Sequence, residues 1–275
     1  HPKKMDLGFQ SSKLKIASYA EGEDYHHWLK GDLEKMTQAL KTQFPEEEFL
    51  CFTDSGPVLE RDLAYRAGLG WIGKNTCLIH SQKGSLFFIG EILTSLDFSD
   101  KSTEPHPDRC GKCTRCIDAC PTDALSERDL DATKCISYLS IEHKTEIAPE
   151  FTKKMGPWFY GCDICQAVCP WNEKLLGQNF LGSSQEIGVD LQEDIFLNEE
   201  ERVLLVDDLR QLLRLSNKKL QKRFLGSPMN RANGNMHKRN AIRLAIYFRL
   251  TELKEDCEYI RDHTQSEMLQ SYANY

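Results

Sequence analysis

Cysteines set the first chemical constraint on this chain. Cys110, Cys113, Cys116 and Cys120 follow C-x2-C-x2-C-x3-C and precede Pro121; Cys162, Cys165 and Cys169, followed by Pro170, repeat the last three positions of that pattern. The first spacing is that of bacterial ferredoxins that bind 4Fe-4S clusters. Three closely spaced thiolates wrap one corner of a cube, and the proline turns the chain so that the fourth sulfur reaches a neighbouring cube. One run therefore implies two clusters. Cys135, in ATKCISYL, is the only cysteine between the runs and fills the missing first position of the second. The expected ligand sets are Cys110, Cys113, Cys116 and Cys169 for one cluster, and Cys120, Cys135, Cys162 and Cys165 for the other. Structural zinc is the alternative, but it favours paired C-x2-C knuckles, which neither the tight triplet nor the crossed fourth ligand resembles. Cys51, Cys77 and Cys257 lie in apolar local patterns and are expected to be inert small hydrophobes.

Clusters carry electrons one at a time toward something else, so the rest of the chain must supply the chemistry. With 275 residues, 40% hydrophobic and 28% charged, the chain has room for two or three modest domains with real cores. No apolar run reaches membrane-spanning length, and HPKKMDLGFQ lacks the apolar centre of a secretory signal, so the expected location is the cytoplasm. Eleven cysteines in a reducing compartment suit metal ligation better than disulfides. The absence of an initiating Met suggests an incomplete N-terminus.

The positioning elements follow from periodicity. Trp28, Leu33, Met36, Leu40 and Phe44 recur at helical spacing from Asp24 until Pro45 stops the helix. EFLCFTD reads as a short buried strand, and SGPVLERDLAYRAG as a helix with Pro57 in its first turn and Gly68 as its stop, leaving Asp54 at the strand–helix junction. TCLIH and SLFFIGEIL, either side of SQKG, read as paired strands. TSLDFSDKSTEPHPD is a linker. Beyond the cysteines, VLLVDDLRQLLRLS, MHKRNAIRLAIYFRL and ELKEDCEYIRDH are successive helical patterns that suggest stacked helix pairs.

Charge is segregated. The net charge is −7, yet between Leu209 and Thr251 there are eleven Lys or Arg residues and no Asp or Glu, whereas residues 1–208 hold 22 basic against 36 acidic side chains. This block suits either a polyanion, through counterion release, or a solvated helical face neutralised by acids from elsewhere.

Two motif matches fail on context. GLGWIGKN matches G-x-G-x-x-G through Gly68, Gly70 and Gly73 and nearly matches a P-loop, but it follows a helical stretch, and Asn75 stands where Ser or Thr would hold magnesium. NAD and nucleotide hydrolysis are therefore excluded; the glycines suit either close approach by a large ligand or a simple helix stop. DYHHWLKG is similar to the Asp-x-His-x-x-Gly pattern of cobalt-ligating proteins, but four residues separate His26 from Gly31 instead of two. No histidine ligand is expected, and His26 and His27 read as ordinary helix residues.

Taken together, DSGPVLERDLAYRAGLGWIGKNTCLI, the eight-cysteine pattern enclosing KCISYLSIEHK, GCDICQAVCPWN and KRNAIRLA resemble the epoxyqueuosine reductase family. The resemblance runs from about residue 16 into the C-terminal helices. It implies an α+β multidomain fold: a mixed α/β cobalamin-binding domain over 1–104, N-terminally incomplete; a ferredoxin-like domain with two 4Fe-4S clusters over 105–180; and a helical, HEAT-like, tRNA-binding domain over 181–275. The implied activity is reduction of epoxyqueuosine to queuosine at the tRNA wobble position, using cobalamin recharged by the clusters and an external electron donor. Asp54 would be the proton donor, with a pKa raised by burial beside the corrin. Gly70, Lys74, Asn75 and Ser137 would contact cobalamin. Arg231, Lys238 and Arg239 would meet tRNA phosphates, with Asn240 orienting that loop. The chain would act as a monomer away from membranes. A corrinoid reductive dehalogenase would share the cofactors without needing the basic block, and a ferredoxin-type carrier would show no corrin band.

Overall fold

The computed structural model describes residues 4–98, 103–173 and 196–272. The strands are short and form four two-stranded pairings: β1 (Lys15–Ile16) runs parallel to β8 (Trp158–Tyr160), whereas β2 (Phe49–Phe52) with β5 (Glu91–Thr94), β3 (Trp71–Ile72) with β4 (Leu78–Ile79), and β6 (Leu125–Ser126) with β7 (Asp129–Leu130) are antiparallel. The expected pairing across SQKG is confined to one antiparallel bridge, His80–Gly84; beyond it, β4 turns back onto β3 and β5 joins β2. The β2 strand is not a buried one either, since Leu50 is 58% exposed.

Helix α1 (Tyr25–Gln43) begins where Asp24 accepts a hydrogen bond from the His26 N–H and stops just before Pro45. Helix α2 (Glu60–Arg66) starts three residues beyond Pro57, later than expected, and Gly68 ends it with φ +74. Four short helices follow: α3 (Arg115–Asp118), α4 (Ile136–Ile141), α5 (Pro149–Lys154) and α6 (Ile164–Ala167). The C-terminal stretch is helical: α7 (Glu199–Arg214), opened by an Asn198–Glu201 capping box, then α8 (Asn217–Arg223), α9 (Gly234–Tyr247), α10 (Lys254–His263) and α11 (Glu267–Tyr272).

Helix α9 is central. It packs on α7, α8 and α11 and also on α4, α5 and β8, so it joins the helical stretch to the cysteine region. One large apolar core runs through Leu7–Ala20, Ile136–Ile164 and Leu205–Tyr272. A second, small cluster gathers Trp71, Ile79 and Cys169, with Trp171 and Cys110 against it. The expected boundary at 180/181 lies outside the described residues. Among the described residues no helix is long and apolar enough to cross a membrane.

Candidate functional site

Cys110, Cys113, Cys116 and Cys169 line one cavity of about 220 Å³. Burial pushes the Cys116 thiol up to about 11, and the neighbouring Cys169, Cys110 and Cys113 add to the effect. Burial likewise raises Cys162, which feels Cys135 and Cys120, and Cys165, which feels Cys77, Cys162, Cys135 and Cys116. The cysteines of the two runs and Cys135 thus lie close enough to feel one another, and Cys77 lies among them. A thiol crowded among others resists ionisation, whereas a coordinated thiol is deprotonated outright, so this donor set suits a cation-rich cluster. Among the described residues no three His, Cys, Asp or Glu side chains gather as for a single metal ion. An iron–sulfur cube instead takes its thiolates at separate corners. Sulfur acceptors are already oriented: the Trp71 indole N–H lies 3.4 Å from Cys110 Sγ and the Ala124 N–H 3.4 Å from Cys120 Sγ.

The β3–β4 hairpin forms one wall of this cavity through Lys74, Asn75 and Ile79. Lys74 is 6% exposed, with its Nζ 3.5 Å from Glu127. Asn75 Nδ2 donates to the Cys165 carbonyl at 3.4 Å, while its Oδ1 accepts from the Cys77 N–H at 3.2 Å. Gly70 is required by the protein itself: a Cβ there would stand 2.2 Å from the Ile79 carbonyl oxygen. The close approach at this glycine is by strand β4, which accounts for its lack of a side chain without a ligand. Ser137 is half-buried in the first turn of α4, and its carbonyl accepts from Ser140 Oγ at 3.2 Å.

The other face of the hairpin, at Ile72 and Thr76, lines a broad cleft of about 840 Å³ that contains Asp54. Asp54 sits at φ +51 after β2, a left-handed conformation that aspartate tolerates better than most residues. Its side chain is 57% exposed. The Tyr25 hydroxyl donates to Asp54 Oδ2 at 2.7 Å, and His26 Nε2 lies 3.3 Å from the same oxygen. His26 Nδ1 lies 2.7 Å from Asp24 Oδ1, so Asp24, His26 and Asp54 form a chain. Tyr25 stacks on Phe88 with ring centroids 4.2 Å apart. Burial, then the contact with Asp54, raises the Tyr25 hydroxyl far above its usual value and keeps it a donor. The sequence reading missed Tyr25 and His26. Its available signal was an Asp-Tyr-His run at a helix start, whose cap fixes where the next two side chains point.

Arg231 is exposed and pairs with Glu142 Oε1. That hydrogen bond raises its pKa, and the field of Asp54 also reaches it. Lys238 is half-buried and its pKa is lowered by desolvation. Arg239 is corrected as a phosphate contact: it and Asn240, expected to orient its loop, are both 0% exposed, Asn240 Oδ1 accepts from Arg239, and their other donors reach backbone carbonyls of residues 139–145 and 159. A phosphate in solvent cannot reach them.

Acids do return to the basic block. Asp256 lies 3.1 Å from Arg210 and 2.7 Å from Arg214. Lys218, Lys219 and Lys222 on α8 remain exposed.

Two family models match. The 4Fe-4S double cluster binding domain covers residues 109–172, which include all eight predicted ligands, and "Epoxyqueuosine reductase QueG, DUF1730" covers residues 1–55. An epoxyqueuosine reductase from Leadbetterella byssophila is 48% identical over 162 residues, 59% of this chain and 53% of that protein. One from Cyclobacterium marinum is 49% identical over 173 residues, 61% of this chain and 54% of that protein. The chain thus spans about half the length of the curated relatives it matches. Among solved structures, a selenomethionine-labelled epoxyqueuosine reductase superposes with TM-score 0.79 at 28% identity, covering 99% of this chain and 69% of that one. The Streptococcus thermophilus enzyme gives TM-score 0.77 at 28% identity, with 99% and 67% covered. An epoxyqueuosine reductase bound to an epoxyqueuosine-modified tRNA-Tyr stem loop gives 0.76 at 26% identity, with 99% and 69% covered. In sequence over about three fifths of its length, and in fold over nearly all of it, this chain is similar to epoxyqueuosine reductases.

Proposed function

We propose that this chain reduces epoxyqueuosine to queuosine in tRNA, with the eight cysteines holding two 4Fe-4S clusters and the Asp54 cleft holding cobalamin. The observation that carries the reading is the hairpin Trp71–Ile79, which lines the four-thiol cavity through Lys74, Asn75 and Ile79 and the Asp54 cleft through Ile72 and Thr76. Electrons leaving one cavity have a short path to the other. The cleft offers an apolar surface at Ile72, Phe87 and Phe88 and polar groups at Arg61, Thr76 and Arg128, a lining suited to a broad macrocycle with amide arms. When bound, cobalamin would supply a low-valent cobalt able to deliver two electrons to the substrate.

Removing an epoxide oxygen takes two electrons and two protons. Both carbon–oxygen bonds break, a carbon–carbon double bond forms and the oxygen leaves as water. Asp54 gives one proton to the departing oxygen, and Tyr25 and His26 fix its carboxyl in place. His26, held by Asp24, is placed to return a proton to Asp54, which then gives the oxygen its second. Arg231 and Lys238, with the α8 lysines, hold the RNA backbone so that the modified base enters the cleft. An external donor recharges the clusters of a monomer.

The test is anaerobic reconstitution with iron, sulfide and cobalamin, followed by turnover on an epoxyqueuosine-containing tRNA stem loop. Asp54→Asn is expected to lower the rate by roughly 10²–10⁴-fold, the usual worth of a general acid, with iron and corrin content unchanged. Undiminished turnover in that variant removes Asp54 from the role.

A further inference from the structure

The two fully buried arginines of α9 and the asparagine between them take no part in the chemistry of the cleft, although they are among the most heavily hydrogen-bonded side chains in the molecule. Arg239 donates through Nη2 to the Leu139 carbonyl at 2.7 Å and through Nη1 to the carbonyls of Thr145, at 3.1 Å, and His143. Asn240 Nδ2 donates to the carbonyls of Ser140 at 2.8 Å and Phe159 at 3.0 Å, while its Oδ1 accepts from Arg239 Nη2 at 3.0 Å. Arg243 donates to the carbonyls of Gly156, at 2.8 Å, and Trp158. Burial pushes both arginines down to about 10. A buried cation that meets only carbonyl dipoles is expensive, so these contacts serve a specific geometry.

The acceptors identify that geometry. Leu139 and Ser140 lie in the last turn of α4, whose carbonyls have no helical partner and carry the negative end of its dipole. The N-cap of the same helix is Cys135, whose carbonyl accepts from the Leu139 N–H at 2.8 Å. Trp158 and Phe159 belong to β8, which leads through Gly161 into Cys162. Ser140 Oγ then ties the two arms directly, accepting from the Gly161 N–H at 3.0 Å and donating to the Ile136 carbonyl at 2.7 Å.

We infer that Arg239, Asn240 and Ser140 are positioning residues for the second cluster, fixing the separation of the arms that deliver Cys135 and Cys162. This rests on the reading of the eight cysteines as two cluster sites. None of the three touches the first set, so their loss should loosen one cluster and spare the other.

The experiment compares anaerobically reconstituted wild type, Asn240→Ala and the milder Ser140→Ala. It follows iron release to a chelator, the electron paramagnetic resonance of the reduced clusters, and affinity for an unmodified tRNA stem loop. In the variants, half of the iron is expected to leave roughly tenfold or more faster, the scale of an outer-shell metal contact, with one cluster signal lost and the other unchanged. Stem-loop affinity should stay within about twofold, as for residues sealed from solvent. Equal release of all iron at the wild-type rate overturns the inference, as does loss of both signals together, which marks a general stability role. A fall in RNA affinity with both signals intact overturns it too. Wild type that never holds two clusters would instead sink the underlying reading.

Discussion

Asn172, the last residue of the CPWN stretch, offers the most direct measure of how the Cys169 arm is held. It is 0% exposed. Its Oδ1 accepts from the Ser85 N–H at 2.7 Å, and its Nδ2 donates to Ser85 Oγ at 2.9 Å and to the Gln166 carbonyl at 2.7 Å. On Asn172→Ala, Ser85 Oγ keeps Gln166 Oε1 at 3.0 Å, and the Gln166 carbonyl keeps the Cys169 N–H at 3.1 Å. Only the Ser85 N–H is orphaned in a buried site. An orphaned donor costs about 1–3 kcal/mol and each bond broken without an orphan about 1 kcal/mol or less, so the expected loss is roughly 2–4 kcal/mol. Equilibrium urea unfolding of the iron-free chain reads this number. Iron release from the reconstituted chain should show the first cluster loosened, the mirror image of Asn240→Ala. A loss under about 1 kcal/mol with unchanged iron release would refute the claim that this asparagine anchors the arm.

Two further outcomes follow from charge. Burial, reinforced by the neighbouring Glu60, pushes the Glu91 carboxyl up to about 7 from an ordinary value of 4.5, so the folded chain keeps a proton that the unfolded chain releases between those values. Stability is therefore highest below that window and falls as pH rises through it, whereas Glu91→Gln should flatten the slope; equal pH slopes of unfolding free energy in the two proteins would rule this out. Reversing Lys218, Lys219 and Lys222 to Glu should weaken stem-loop binding and reduce the steepness of its salt dependence by about 0.7–0.9 for every phosphate no longer neutralised, whereas Arg214→Gln, whose partner Asp256 lies 2.7 Å away, should change it little; fluorescence titration at several salt concentrations separates the two.

What could be read from the sequence was whatever short-range spacing dictates. The ferredoxin runs place thiols by local turns, and Asp54 falls between a strand and a helix wherever those elements end. The partners of Asp54 were less visible because Tyr25 and His26 come from a different element, brought in only when α1 packs near the β2–β5 pair. The same limit explains the strand error: SQKG has turn chemistry, but TCLIH finds a closer antiparallel partner in Trp71–Ile72, and SLFFIGEIL is left to pair with β2. For Arg239 and Asn240 the charge of the residues misled. Their helix is apolar on nearly every side, with Met236, Ala241, Ile242, Leu244 and Ala245 all buried, and that pattern marks an interior helix whatever its arginines suggest.

The basic block thereby divides into parts with different work. Asp256 pairs with Arg210 and Arg214, binding α7 to α10, and Asp207 adds a second acid at Arg210. Arg239 and Arg243 face inward to the cysteine arms and Arg223 holds the Leu7 and Gly8 carbonyls, leaving the α8 lysines, Lys238, Arg231 and Arg249 toward solvent. Of these, Arg231 stands within the electrostatic reach of Asp54 and is held there by Glu142, one residue past the end of α4. A phosphate that replaces Glu142 at this guanidinium would exchange one anion for another while releasing the carboxylate to water, so the cost of binding there is small. It would also fix the RNA backbone beside the cleft mouth. Arg239 thus holds the Leu139 carbonyl of α4 while Glu142, just past the same helix, holds Arg231, so a phosphate docking at Arg231 would free the residue that ends the element beginning at Cys135.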